Sequence, residues 1–246
     1  MLSEVRGYLA SLLPSHQLAL WELQPEQREF IAHIRASRLT YLSDRRLARI
    51  ATTCKSIEER NLPGIFVEAG CALGGSSILI ASLKAARRSL FVYDTFEMIP
   101  PPTDEDTVEV HERYRRIREG KSKGIGGDLY YGYQPNLYEQ FEANLGRFGL
   151  DLEANCVIRR KGLLQETMKI DQPVAFAHID VDWYEPVMIS LQRLFPNLVV
   201  GGSIIVDDYR DWGGCRKATD IYLRQVRGKF EADCACGSLR ITRTRF

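Results

Sequence analysis

No stretch of this chain approaches the roughly 20 consecutive apolar residues that cross a bilayer, and Met1 to Leu13 carries Glu4 where a secretion signal places basic residues. A membrane-spanning or secreted protein is therefore not expected, and the chain reads as cytoplasmic. Net charge is also scarce. The 33 lysines and arginines against 32 aspartates and glutamates leave a formal +1, so no global field draws the protein to nucleic acid. Cysteine shows no organising pattern. The six, Cys54, Cys71, Cys156, Cys215, Cys234 and Cys236, have no CxxC spacing, and a chain this long buries enough core not to need disulfides, so free thiols are expected. Cys234 and Cys236 would share one face of a strand, but nothing nearby completes a metal-ligand set around them. Repeats and low-complexity tracts are absent as well.

What is present is a change of pattern. Residues 1–60 show helical spacing, as in Leu9, Leu12 and Leu13, then Phe30, Ile31 and Ile34, then Leu47, Ile50, Ala51 and Cys54. This segment is expected to be helical and to pack on the rest, which spans 61–246. From Pro63 short apolar runs alternate with helical stretches: Ile65 to Val67, Leu90 to Tyr93, Cys156 to Ile158, Val174 to Ile179 and Ser203 to Val206, with Ser238 to Thr242 as a closing strand. That alternation predicts an α/β domain, doubly wound, with a mostly parallel sheet. A helix is expected from near Pro186 to Pro196, followed by a turn at Gly201-Gly202. At about 97–136 the pattern is lost among prolines, charges and glycines. An insertion of that length at a strand end reads as a lid or a disordered loop, and Tyr130, Tyr131 and Tyr133 favour a lid over a ring-shaped substrate. Arg113, Arg115 and Arg116 are available there for an anionic group, or simply face solvent.

Two constellations carry chemistry. The first follows the strand at Ile65: Glu68-Ala69-Gly70-Cys71-Ala72-Leu73-Gly74-Gly75-Ser76-Ser77. Its glycines permit a tight turn and close approach of a ligand, and its serines can cap the helix that follows. The spacing is not GxGxxG, and a carboxylate ahead of the first glycine would repel a pyrophosphate, which counts against a nicotinamide oxidoreductase. Glu68 is suited instead to the α-ammonium of an amino-acid-like cofactor such as S-adenosylmethionine. Asp94, at the next strand end, stands where an acid grips ribose hydroxyls, roughly 20 residues further on. The second constellation is Asp180-Val181-Asp182 at one strand end and Asp207-Asp208 at the next. Parallel strands open their carboxyl ends on one edge, and converging carboxylates repel unless a cation neutralises them. Oxygen ligands select magnesium or a similar divalent cation. His178, inside its strand, reads as a satisfied core histidine.

At these residues the chain resembles the macrocin O-methyltransferase family, enzymes that methylate sugar hydroxyls of antibiotics. The resemblance runs from about Leu39 to about Leu223. It rests on Thr40-Tyr41, Val67-Glu68-Ala69-Gly70 with Gly74-Gly75, Tyr93-Asp94-Thr95-Phe96, Asn144 with Phe148-Gly149-Leu150, Lys161-Gly162, Asp180 to Glu185, and Asp207-Asp208-Tyr209 followed by Cys215-Arg216-Lys217-Ala218. It implies a class I methyltransferase with a Rossmann-like, seven-stranded sheet. S-adenosylmethionine would be held by Glu68, Gly70, Asp94 and Thr95, with Thr40, Tyr41, Ala69, Gly74, Ser76, Ser77, Gly162 and Asp180 around it. Magnesium or another divalent cation would sit on Asp180, Asp207 and Asp208. The interval from Asp180 to Asp207 is similar to that of metal-dependent catechol and caffeoyl-CoA methyltransferases, but Trp183 stands where those relatives place a lysine base. Val181 and Cys71-Ala72-Leu73 also depart from the family's usual residues and bear on the substrate.

The expected function is O-methylation of a small-molecule hydroxyl, foremost on a sugar of a glycosylated natural product, with a catechol or other vicinal diol as the alternative. Asp180 is the first candidate for the proton acceptor, followed by Asp182 and His111. A metal-dependent nucleotide-sugar glycosyltransferase, using Asp180-Val181-Asp182 as a DxD, and a non-catalytic cofactor-binding module are the readings from other classes. The expected partner is the acceptor alone, with neither nucleic acid nor membrane, and the N-terminal helices suggest a homo-oligomer such as a dimer.

Overall fold

A computed structural model describes residues 23–246. The expected helix around Leu9, Leu12 and Leu13 lies outside the described residues. Helix α1 (Pro25–Ala36) begins with proline, whose fixed φ suits the first helical position. Helix α2 (Asp44–Glu59) starts at Ser43, whose Oγ accepts the Arg46 amide at 3.3 Å. Ile31 and Ile34 from α1 and Leu47, Ile50, Ala51, Cys54 and Ile57 from α2 are buried in one apolar cluster with Phe66 and Phe176 of the sheet. At roughly 1.5–3 kcal/mol for each fully buried large aliphatic side chain, this contact is a substantial part of the core.

The sheet has seven strands: β1 (Ile65–Ala69), β2 (Leu90–Asp94), β3 (Val157–Lys161), β4 (Val174–Ile179), β5 (Leu198–Val206), β6 (Phe230–Ala235) and β7 (Ser238–Arg243). Their order is β3-β2-β1-β4-β5-β7-β6. The first five pair in parallel and β7 runs antiparallel between β5 and β6. This is the doubly wound, mostly parallel sheet that the alternating pattern predicted. Strands β1 and β4 are buried along their whole length, because helices cover both faces. The order reverses between β1 and β4, so a crevice opens beyond their carboxyl ends.

Several boundaries differ from expectation. Gly201 and Gly202 do not form a turn; they lie inside β5, where a register shift against β4 absorbs the irregularity. Strand β6 has no counterpart in the sequence reading. It is an exposed edge, Glu231 to Cys234 facing solvent, so it lacks an apolar run. Its hairpin to β7 turns at Cys236 and Gly237, both at positive φ, which places Cys236 in the turn and not on a strand face with Cys234.

The insertion at 97–136 is ordered. It holds helix α4 (Val108–Arg118), which buries Val110 and Ile117, and two short 3-10 turns at Ile125–Gly127 and Tyr131–Tyr133. Val110 and Ile117 cluster with Ile99, Tyr130 and Trp183. Polar ties fix it to the domain. Asp106 accepts the amide of Tyr184 at 2.8 Å and that of Thr103 at 3.0 Å, the Trp183 indole donates to Pro100 O at 3.0 Å, and Arg38 pairs with Asp128 at 2.9 Å. The Tyr133 hydroxyl donates to Ile117 O, so that tyrosine braces the insertion itself.

Candidate active site

The glycine turn after β1 leads into helix α3 (Gly75–Leu83). Gly70 is at φ +82, and a Cβ on it would lie 1.9 Å from Asp180 O, so only glycine lets the ends of β1 and β4 come this close. The helix is capped by Gly74 at φ +92, with no side-chain cap. Ser76 and Ser77 thus do not cap by side chain as expected. Ser77 turns inward and its Oγ donates to Glu68 Oε2.

Glu68 is wholly buried. Its Oε1 is 3.0 Å from His178 Nδ1, and the carboxylate lines neither of the two adjoining cavities described below. Glu68, expected at the cofactor's ammonium, has its side chain pointing down into the sheet, toward His178 of β4. Burial favours a neutral His178 ring, but the carboxylates of Asp207 and Glu68 outweigh it and raise the imidazole pKa to about 10.

Asp94 closes the glycine turn from the β2 side. Its Oδ2 accepts the amides of Cys71 at 2.8 Å and Ala72 at 3.2 Å, and its Oδ1 accepts that of Phe96 at 2.7 Å. Burial raises its pKa against these hydrogen bonds. Three of about four acceptor positions are therefore given to the backbone. The side chain borders both cavities while it shapes the loop.

The first cavity, about 80 Å³, runs between the glycine turn, the end of β2 and the segment after β3. Gly70, Asp94, Thr95, Gly162 and Asp180, all expected at the cofactor, line it. Leu163, Leu164 and Gln165 add an apolar and polar wall that the sequence did not single out, the latter two on a single-turn helix (Leu164–Thr167). The second cavity, about 330 Å³, continues it under the insertion, with Asp180 and Asp182 common to both. Tyr41, Tyr130, Tyr131, Trp183 and Trp212 give it aromatic walls. Of the expected cofactor residues, Tyr41 faces this second cavity, while Thr40, Ala69, Gly74, Ser76 and Ser77 line neither. Thr40 accepts the Leu42 amide at 3.1 Å.

Asp180, Asp207 and Asp208 come together as the strand ends predicted. One carboxylate oxygen from each lies within 4.8 Å of the others. Asp207 Oδ1 and Asp208 Oδ2 are buried without a hydrogen-bond partner, and His178 Nε2 is 3.9 Å from Asp207 Oδ1, beyond hydrogen-bond reach. Burial, together with the neighbouring carboxylates, pushes the pKa of Asp180 and Asp208 well above the usual range. Orphaned acceptors and mutual repulsion are what a divalent cation relieves, so the donor set fits one.

Asp182 stands beside this cluster at φ +55, a left-handed conformation that aspartate tolerates better than most residues. Burial raises its pKa, opposed by the Trp212 indole and the charge of Arg113. Arg113 reaches the second cavity, whereas Arg115 and Arg116 are solvent-exposed. His111 lines neither cavity, and its Nε2 lies 3.1 Å from Thr103 O.

The sequence reading missed Arg46 and Asp211. Arg46, from α2, pairs with Asp207 and Asp211 at 2.5 Å each. No local signal marks the arginine, because its partners are 161 and 165 residues away.

Residues 15–232 match the family described as Macrocin-O-methyltransferase. The chain is 28% identical over 217 residues to the demethyldecarbamoylnovobiocin O-methyltransferase of Streptomyces niveus, covering 85% of this chain and 74% of that one. It is also 28% identical over 198 residues to the 8-demethyl-8-(2,3-dimethoxy-alpha-L-rhamnosyl)-tetracenomycin-C 4'-O-methyltransferase of Streptomyces olivaceus, covering 78% and 68%. Among solved structures, that of the O-methyltransferase NovP superposes with a TM-score of 0.70 at 24% identity, over 84% of this chain and 83% of that one.

Proposed function

Since the chain belongs to the macrocin O-methyltransferase family and is an O-methyltransferase, we propose that it transfers a methyl group from S-adenosylmethionine to a sugar hydroxyl of a glycosylated natural product, with a divalent cation, magnesium foremost, on Asp180, Asp207 and Asp208. The observation that carries the metal is the pair of buried, unpartnered oxygens on Asp207 and Asp208 beside Asp180. The relatives' names, which specify a novobiocin precursor and a rhamnosyl tetracenomycin, support the acceptor class. The aromatic walls of the second cavity suit the apolar faces of a sugar and a flat aglycone. A reducing cytoplasm agrees with six cysteines that show no CxxC spacing.

The cofactor supplies an electrophilic methyl group on a sulfonium, and a bound divalent ion lowers the pKa of a hydroxyl beside it. The protein's own share is positioning and proton transfer. Gly70, Asp94, Thr95 and Gln165 frame the first cavity, where the cofactor would lie against Leu163 and Leu164. Trp183 lines both cavities and Val181 the first alone, and the insertion gives Ile99 and Tyr131 to the walls of both, where it would keep water from the bound reactants. Asp182 becomes the favoured proton acceptor over Asp180, because it borders both cavities without belonging to the three clustered carboxylates. Its raised pKa suits a base working near neutrality.

The test is a pair of variants. Asp182→Asn is expected to lower turnover by roughly 10²–10⁴-fold with binding of S-adenosylhomocysteine and of Mn²⁺ nearly unchanged. Asp180→Asn is expected to lose turnover together with Mn²⁺ affinity. Wild-type turnover in Asp182→Asn would reject it as the proton acceptor.

A further inference from the structure

Arg46 lines the second cavity, yet neither the family's motifs as read in the sequence nor the proposed chemistry uses it. Its side chain leaves α2, crosses beneath the Cys236-Gly237 turn and enters the second cavity with only 14% of its surface exposed. All three guanidinium nitrogens are engaged. Nη1 donates to Asp207 Oδ2 at 2.5 Å, Nη2 to Asp211 Oδ2 at 2.5 Å, and Nε to Cys236 O at 3.0 Å. These acceptors come from three segments: the end of β5, the loop after it, and the β6-β7 hairpin. A planar fork held at every nitrogen cannot rotate, so its position is fixed. The turn is shaped around it, since Gly237 sits at φ +92 and a Cβ there would lie 2.4 Å from Arg46 Nη2.

The consequence falls on Asp207. Arg46 occupies Oδ2, whereas Oδ1 is buried with no hydrogen-bond partner. One oxygen is fastened, and the other accepts no hydrogen bond in a carboxylate that clusters with Asp180 and Asp208. Arg46 also reaches to 4.0 Å from Asp208 Oδ1, so its positive charge lies against two of the three clustered carboxylates, with the His178 ring 3.9 Å from Asp207 Oδ1 on the other side. That charge reduces their mutual repulsion before any ion arrives. Metal-bound carboxylates are held by just such outer hydrogen bonds.

We infer that Arg46 is a positioning residue for the divalent ion: by fastening Asp207 Oδ2 to the N-terminal helices and the β6-β7 hairpin, it presents Asp207 Oδ1 to the metal. This gives the N-terminal helical segment a part in the metal centre besides its packing. The inference rests on the metal reading proposed above and concerns only this chain's residues. Arginine is required and not merely a cation, because a lysine ammonium can approach Asp207 or Asp211 but lacks the rigid fork that joins both to Cys236 O.

The experiment is calorimetric titration of the full chain with Mn²⁺ alone, paired with titration of S-adenosylhomocysteine and a thermal melt, for wild type, Arg46→Met, Arg46→Lys and Asp211→Asn. Arg46→Met is expected to weaken Mn²⁺ binding by roughly 10–100-fold, with Arg46→Lys and Asp211→Asn between it and wild type. S-adenosylhomocysteine affinity should stay within about threefold, because the first cavity is not lined by Arg46. Asp211→Asn keeps the inference testable if both Arg46 variants fail to fold. Unchanged or tighter Mn²⁺ binding in the folded variants would overturn it, since Arg46 would then be idle or a competitor of the ion. An equal loss of S-adenosylhomocysteine binding would overturn it as well. Failure of wild type itself to bind Mn²⁺ would instead refute the metal reading, and this inference with it.

Discussion

Glu68 and His178 form a hydrogen bond of 3.0 Å inside the sheet, between β1 and β4, with neither side chain exposed to solvent. The pair links the glycine turn to the aspartate cluster: Ser77 donates to the other oxygen of Glu68, and the other nitrogen of His178 faces Asp207. Removing one member leaves the other buried and unpaired, which costs about 3–5 kcal/mol. Glu68→Ala should lose stability on that scale in urea denaturation. Glu68→Gln, which retains the shape and a hydrogen bond, should cost less and leave S-adenosylhomocysteine affinity within about tenfold of wild type. A larger loss of affinity in a folded Glu68→Gln would mean that the carboxylate meets the ligand after all.

The insertion is held at its base by Asp106, which accepts the amides of Thr103 and Tyr184. Asp106→Ala removes both acceptors and should open the insertion by about 1–3 kcal/mol. Hydrogen exchange of backbone amides from Thr103 to Arg118 would then accelerate while those of β1 and β4 stay protected. The acceptor KM should rise more than that of the cofactor, because the insertion roofs the larger, aromatic cavity. Unaltered exchange in that segment would contradict this anchoring role.

Metal binding should compete with protons. Burial and the neighbouring carboxylates raise the pKa of Asp180 to about 8 and that of Asp208 above its ordinary value, so Asp180 holds a proton near neutrality when no ion is present, and an ion must displace it. Mn²⁺ affinity is therefore expected to rise between pH 6 and pH 8, with proton release detectable as a buffer-dependent heat. Affinity that is flat across this range would show that the carboxylates are already ionised.

Far from the site, Glu58 accepts Arg88 Nε at 2.6 Å and the Ala85 amide at 2.9 Å. Burial opposes ionisation, but the Arg88 guanidinium and that amide hold the carboxyl below its ordinary value. A depressed folded pKa gives stability that is present above the unfolded pKa and is lost as pH falls through the folded one. Glu58→Gln should therefore lower stability at pH 7 by about 1–3 kcal/mol and flatten its decline below roughly pH 4.5. Parallel acid-denaturation curves for variant and wild type would rule this out.

The parts of the fold that could be read in the sequence are those where burial on both faces makes a continuous apolar run, as in β1 and β4, or where a helix keeps a full apolar stripe, as in α2. Strand β6 was not legible because an edge strand exposes most of its side chains. Helix α4 was hidden for a similar reason, since only Val110 and Ile117 of its residues are buried. In the site, Asp180, Asp207 and Asp208 could be placed because a parallel sheet opens its strand ends on one edge. Arg46 and the inward turn of Glu68 depend on contacts across the tertiary structure that no local pattern encodes.

Calorimetric binding of S-adenosylhomocysteine, repeated with magnesium and with a chelator, probes the proposed methyl-donor pocket beside a carboxylate metal centre. Affinity in the micromolar range, about −8 kcal/mol, is expected under both conditions, with methyl transfer to glycosylated acceptors abolished by the chelator. Absence of binding under every condition would contradict it.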